Sequence, residues 1–199
     1  ASCALYVGAR PAFSDIDAQT LNLDPAALKE TFRTRQGIKA VVPVHFAGLP
    51  CDMVAIAEIA KAHGAIVIED ACHALGATYA DGSRVGNCRY DESLYRKLLA
   101  ARNHGMNRAE AEWTDPQQGF DDGKANPWYY EMQSLGYNYR ITDMQCALAI
   151  SQFMKLERFL ARRVEIARHY DRVLDGLPAL RLPQRGQRER SGNHIYVTR

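Results

Sequence analysis

The stretch from Ala65 to Ala77, AIVIEDACHALGA, restricts the fold more than any other part of this chain. Ala65 to Ile68 is an unbroken apolar run rich in β-branched side chains, with Gly64 before it and small residues after it. Such a run predicts a buried parallel strand. At its carboxyl end stand two consecutive acids, Glu69 and Asp70, and then Cys72 and His73. In open α/β sheets ligands sit just outside the carboxyl ends of strands. A carboxylate there is costly to bury unless something cationic meets it. The residues leave two readings of Asp70 open: a helix-cap or loop acid, or the partner of a protonated ring nitrogen. Pyridoxal phosphate needs the second, because a protonated pyridine is the better electron sink.

The rest of the chain agrees with a parallel sheet. Ala9 to Asp17 (ARPAFSDID) reads as a strand ending in acids. Asp24 then caps a helix with Pro25 at its first position and Gly37 at its close. Lys39 to His45 is a second strand, followed by a turn from Gly48 to Cys51. Asp52 caps the next helix, with Met53, Ile56, Ala57 and Ala60 on its apolar face. His63 reads as a helix C-terminal histidine meeting the macrodipole. Strand and helix alternate three times, which predicts crossover helices on a parallel sheet. Thr78 to Tyr90 reads as a hairpin turning at Asp81-Gly82, and Asp91 to Arg102 as an acid-capped helix. Residues 107–126 form a polar excursion, and 127–139 an aromatic-rich segment. Thr142 and Gln145 make a capping box for a helical pattern running almost to Gly176. A bend near Glu157 is expected in so long a pattern.

Composition narrows the class. The 199 residues are 47% hydrophobic and 24% charged, ordinary for a globular protein. A formal charge of +2 gives no reason to invoke nucleic acid or an anionic membrane surface. The Arg-rich run from Arg181 to Arg190 reads as a solvated loop. Five scattered cysteines without a CxxC pair suggest reduced thiols and a cytoplasmic location. No apolar run reaches the ~18 residues of a membrane span.

Four blocks carry a resemblance: ARPAFSDID (9–17), VVPVHFAGLPCDM (41–53), IEDACHALGA (68–77) and GYNYRITDMQCALAISQ (136–152), with RNHGM (102–106) as a fifth. Together they resemble the DegT-type nucleotide-sugar aminotransferases, pyridoxal-phosphate enzymes of fold type I. The WYYEM block (128–132) is most similar to the branch that makes UDP-4-amino-4,6-dideoxy-N-acetyl-altrosamine in pseudaminic acid biosynthesis, and perosamine synthases share much of the pattern. The resemblance implies an α/β fold type I large domain, residues 1–150, mainly a parallel sheet with helices on both faces. Residues 151–199 would be a linking helix and the start of a smaller α+β domain. It further implies that Asp70 pairs with the pyridine nitrogen and that His73 lies beside the phenolic oxygen. Asn138 would reach the cofactor phosphate of the other subunit of a homodimer with shared active sites, and Arg140 would lie near the sugar. His45 is positional. The expected reaction moves an amino group from L-glutamate to the 4-keto group of a UDP-linked deoxy sugar.

The chain departs from the family where the chemistry is most demanding. Fold type I enzymes need a Schiff-base lysine, which the family carries in a Ser-x-x-x-x-Lys segment before a Gly-rich stretch. The six lysines here (29, 39, 61, 97, 124 and 155) all lack that context. The lysine segment is expected between Tyr90 and Asp91, so a chain break is expected there, with Cα atoms much farther apart than the ~3.8 Å of a trans peptide. A phosphate-cradling turn would precede Ala1, and most of the C-terminal domain would follow Arg199. The competing reading is a non-catalytic relative that lost its lysine and acts as a binding or regulatory protein. A Rossmann nucleotide binder lacks its G-x-G-x-x-G. A metal site built on Cys51, Cys72 and His73 lacks a second ligand pair, so no metal is expected.

Overall fold

The computed structural model describes residues 2–86 and 92–199. Contacts divide the chain into two compact units, residues 1–87 with 154–199, and residues 88–153. The boundary at residue 150 stays a proposal for the domains of the whole protein. Within this chain, residues 154–199 return onto 1–87 through the backbone bonds described below.

The first unit opens with a short helix, α1 (Ser2–Tyr6), which no start signal announced. The strand expected over 9–17 is not formed; only an isolated antiparallel bridge, Ile16 to Leu23, remains. The side chains explain why. Asp15 Oδ1 accepts the Ile16 N–H at 2.8 Å, and Asp17 Oδ1 accepts the N–H groups of Gln19 and Thr20 at 3.1 and 2.7 Å. Short acidic side chains that bond the local backbone compete with a ladder, and Pro11 has no N–H to give one.

From here the two N-caps hold, although the helix that Asp24 caps closes at Arg35 and not at Gly37. Asp24 caps α2 (Pro25–Thr34) by accepting the Ala26 N–H at 2.9 Å. β1 (Ala40–Val41) follows, and Asp52 caps α3 (Met53–Ala62) through the Ala55 N–H at 3.1 Å. At the end of α3 the N–H of Ala65 reaches back to the Ala60 carbonyl at 2.9 Å, across Gly64 at φ 65°. This turn needs glycine, and it delivers the chain into β2 (Ile66–Val67).

β1 and β2 pair in parallel with Ala40 opposite Ile66 and Val41 opposite Val67. The ladder continues as single bonds: Ile68 N to Val41 O at 2.9 Å, Asp70 N to Pro43 O at 2.9 Å and His45 N to Asp70 O at 3.1 Å. Strand side chains alternate between faces. Odd-numbered Val41, Pro43 and His45 are buried, and Val67 packs against a core of Leu28, Cys51, Ile56, Ile59 and Ala60 supplied by α2, α3 and the turn before α3. Ile59 takes the core position given above to Ala57, which is exposed. Even-numbered Val42, Val44, Ile66 and Ile68 are exposed on the opposite face.

A hairpin follows, with Thr78 bridged to Arg84 and the Tyr79 N–H bonded to Ser83 O at 2.9 Å around Asp81-Gly82. α7 (Leu156–Val173) also belongs to this unit and leads into a tail that is not the solvated loop its arginines suggested. Arg188 is 5% exposed and grips Asp171 with two bonds, Nη2 to Oδ1 at 2.8 Å and Nε to Oδ2 at 3.1 Å. The Tyr196 hydroxyl donates to the same carboxylate at 2.8 Å, and the Arg188 guanidinium lies 4.7 Å from the Tyr196 ring centroid. Pairing is what lets Arg188 sit inside.

In the second unit, α4 (Glu92–Arg102) leads to β3 (Met106–Asn107), which pairs antiparallel with a later strand, Glu131–Met132. Between them the polar excursion is ordered rather than loose. α5 (Pro116–Gly119) and the pair β4 (Phe120–Asp121) and β5 (Lys124–Ala125) surround Trp113, whose ring meets Phe120 at 5.3 Å and Tyr129 at 4.8 Å. Glu131–Met132 is β6. The capping box forms: Thr142 N donates to Gln145 Oε1 at 3.0 Å, and Gln145 N to Thr142 Oγ1 at 3.3 Å, opening α6 (Asp143–Phe153). The long helical pattern breaks at Met154 and Lys155, close to the expected position and at the boundary between the units.

The Asp171–Arg188 pair yields a stability prediction. Asp171→Ala strands a buried guanidinium and lowers the unfolding free energy by roughly 3–5 kcal/mol, measured by urea denaturation. The exposed pair Arg162–Glu165 at 2.5 Å serves as the control, and its removal changes the unfolding free energy far less than Asp171→Ala does.

Candidate active site

Asp70 stands at the carboxyl end of the parallel ladder, bridged to Val44 of the neighbouring strand. Its backbone is held on both sides by the Pro43 and His45 bonds. Its Oδ1 accepts the Cys72 N–H at 3.1 Å. Hydrogen bonds from the Cys72 thiol and then its N–H hold the Asp70 carboxyl below its ordinary value, and His73 and His45 add to this. The group is therefore an ionised carboxylate at neutral pH, half-buried on the uncovered face of the sheet.

The preceding acid faces the other way. Glu69 Oε1 lies 2.6 Å from His45 Nε2, and the His45 ring is fully buried. The Cys51 N–H donates to His45 Nδ1 at 3.0 Å, so the ring proton sits on Nε2 and is given to Glu69. The Tyr79 hydroxyl comes within 3.4 Å of the same nitrogen. The cluster joins both strand ends to the hairpin, in keeping with a positional His45.

His73 follows on the loop, its ring 6.2 Å from Phe46 and stacked on His194 at 4.8 Å and 18°. Its Nδ1 is buried without a hydrogen-bond partner, a costly state for a ring nitrogen. His194 did not emerge from the sequence, where it stands far from the other site residues. His63 is confirmed as a helix-end histidine: it is the C-cap of α3, its Nδ1 2.9 Å from the Ile59 carbonyl.

Asn138 and Arg140 lie in the second unit. Asn138 is bridged to Asn103, Arg140 Nη1 donates to Asn103 Oδ1 at 2.5 Å, and the Tyr137 and Tyr139 rings stack at 4.9 Å. The RNHG helix end and the GYNYR loop, two separate blocks in sequence, thus form one polar surface.

The lysines sit elsewhere. Lys29 lies in α2, Lys39 ahead of β1, Lys61 in α3, Lys97 in α4, Lys124 in β5 and Lys155 ahead of α7. None is on the loop of Asp70 and His73. The seam between Tyr90 and Asp91, where the catalytic lysine and a chain break were expected, lies outside the described residues.

Residues 1–199 match the DegT/DnrJ/EryC1/StrS aminotransferase family along their whole length. The chain belongs to this family. It is 35% identical to the spore coat polysaccharide biosynthesis protein SpsC of Bacillus subtilis (strain 168), over 99% of this chain and 54% of that protein. Among solved structures it resembles PseC of Helicobacter pylori, an aminotransferase involved in pseudoaminic acid biosynthesis, with 25% identity, a TM-score of 0.82, and coverage of 100% of this chain and 54% of that one. An aminotransferase from Psychrobacter cryohalolentis aligns at 29% identity and a TM-score of 0.79, over 97% of this chain and 54% of that one. The chain thus spans about half the length of the relatives it matches. The expected fold type I α/β architecture holds, and the family's cofactor is pyridoxal phosphate. The residues present fit that group: an ionised Asp70 suits a protonated pyridine nitrogen, and the unpartnered buried Nδ1 of His73 stands beside it.

Two measurements check this geometry. Because Asp70 titrates below its ordinary value of 3.8, its bonds stabilise the fold fully above that pH and lose their effect as pH falls through the lowered value. The stability gap between the protein and Asp70→Asn is therefore complete at pH 7 and shrinks below about pH 4 in urea titrations. Cys51 is buried and its thiol is pushed up to about 12. Iodoacetamide at pH 8 labels exposed Cys3 and spares Cys51 until the protein is unfolded.

Proposed function

We propose that this chain is part of a pyridoxal-phosphate-dependent aminotransferase that moves an amino group from L-glutamate to the 4-keto position of a UDP-linked deoxy sugar. The observation that carries the reading is Asp70, an ionised carboxylate at the carboxyl end of a parallel ladder in a chain of this family. The names of SpsC and PseC point to polysaccharide and sugar biosynthesis, and the WYYEM block favours the altrosamine branch. When bound, pyridoxal phosphate supplies the electron sink for exchanging an amine between an amino acid and a keto group. Asp70 keeps the proton on the ring nitrogen, and His73 orients the ring at its phenolic oxygen. Asn138 takes the cofactor phosphate across a homodimer interface, and Arg140 faces the sugar side. The exposed Trp128, Tyr130, Tyr137 and Tyr139 supply aromatic area for that interface. The reaction also needs a proton-shuttling lysine; the family's lysine segment is absent from these 199 residues, in which Asp91 directly follows Tyr90.

The lysines favour one second reading, a non-catalytic relative, since none stands in the family's context. Borohydride reduction of the whole protein with pyridoxal phosphate separates the two. A covalent mass gain of one cofactor supports the enzyme, and its absence supports the non-catalytic relative. The activity itself is read as 2-oxoglutarate released from L-glutamate in the presence of a UDP-linked 4-keto sugar. Asp70→Asn lowers that rate by roughly 10²–10³-fold. An unchanged rate in Asp70→Asn, or no 2-oxoglutarate from the unmodified protein, overturns the proposal.

A further inference from the structure

A side chain from the far end of the chain reaches the loop of Asp70 and His73. The ring of His194 lies nearly parallel to that of His73, 18° apart with centroids at 4.8 Å. His194 is exposed, so the contact removes little of its surface from water. Several bonds nevertheless fix the turn that carries it. His194 N donates to Ala47 O at 2.9 Å, Gly192 N to Gly48 O at 2.9 Å, and Arg163 Nη1 of α7 to Gly192 O at 3.4 Å. Asn193 sits at φ 42°, and its side-chain amide donates to the Arg188 carbonyl at 2.7 Å.

Glycine makes the approach possible. A Cβ on Gly48, which has φ +104°, would fall 2.9 Å from Asn193 N and 3.0 Å from the carbonyl oxygen of His73. A Cβ on Gly192 would fall 3.1 Å from that same oxygen. The turn therefore touches the His73 backbone and its ring together. The χ2 torsion of histidine is broad, and Nδ1 of His73 has no partner to hold it. Of its aromatic neighbours, His194 is stacked on the ring, and Phe46 stands 6.2 Å away at a tilt of 59°.

We propose that His194 is a positioning residue for cofactor binding: stacked on His73, it fixes the imidazole plane that His73 presents to pyridoxal phosphate. This rests on the reading of His73 as a cofactor contact. The role needs a flat ring and not a titrating group, so phenylalanine serves and alanine does not.

The test uses the whole protein and titrates pyridoxal phosphate by fluorescence, with circular dichroism of the bound cofactor as a readout of its orientation. His194→Ala raises the Kd roughly 2- to 10-fold and weakens the dichroic band. His194→Phe restores both to within about twofold. His73→Ala raises the Kd at least as much as His194→Ala, and adding His194→Ala to it changes little further. A wild-type Kd in His194→Ala, or a loss in His194→Phe equal to that in His194→Ala, overturns the stacking role. A wild-type Kd in His73→Ala alongside a weakened His194→Ala overturns the route through His73. Absence of saturable binding by the unmodified protein overturns the cofactor reading beneath it.

Discussion

The hydrogen bond between His45 and Glu69 is the interaction on which the rest of the site depends. His45 ends one strand and Glu69 ends its neighbour, and their side chains meet at 2.6 Å on the buried face. The Cys51 N–H fixes the ring proton on Nε2, so the histidine donates and the acid accepts. Removing either partner takes this bond from a buried group, which costs more than the bond's net contribution. The same histidine receives the turn before α3 through Cys51, and its backbone N–H reaches the Asp70 carbonyl. One buried ring thereby pins the strand register, the following turn and the backbone of the candidate cofactor residue.

Strand alternation gives the two consecutive acids different tasks. Glu69 points into the core side and is satisfied by His45. Asp70, one residue on, points to the opposite face, where Val42, Val44, Ile66 and Ile68 are exposed. Its carboxylate meets the N–H and thiol of Cys72 and no arginine or lysine among its named partners. A register slip of one residue would exchange these positions, placing the candidate cofactor acid in the core and the structural acid outside. The His45–Glu69 bond opposes that slip, because it forms only in the observed register.

Local signals were legible in the sequence and distant ones were not. The caps at Asp24 and Asp52, the Thr142–Gln145 box and the turn at Asp81-Gly82 are short-range chemistry, and each is present. Asp70 stood out because an acid at a strand end has meaning by position alone, and the structure places it at the carboxyl end of the ladder. The failures all involve choices between local alternatives or partners far away. Residues 9–17 have the apolar content of a strand, but Asp15 and Asp17 bond their own backbone first. Arg188 looks like any arginine in a charged run until Asp171 of α7 meets it. His194 carries no signal of its own, since its neighbour on the other face of the stack is set by the path of the whole tail.

That path has a physical order. α7 presents Asp171 on the side that Arg188 and Tyr196 can reach, and the buried pair fixes the tail at residue 188. Asn193 then closes a tight turn against the Arg188 carbonyl. From this anchored turn, the N–H groups of Gly192 and His194 reach the carbonyls of Gly48 and Ala47, which the Asn22 side chain also steadies through Leu49 and Phe46. The position of His194 over His73 is thus the last consequence of an ion pair on α7. A substitution at Asp171 should reach the candidate site through geometry even though it touches none of its residues.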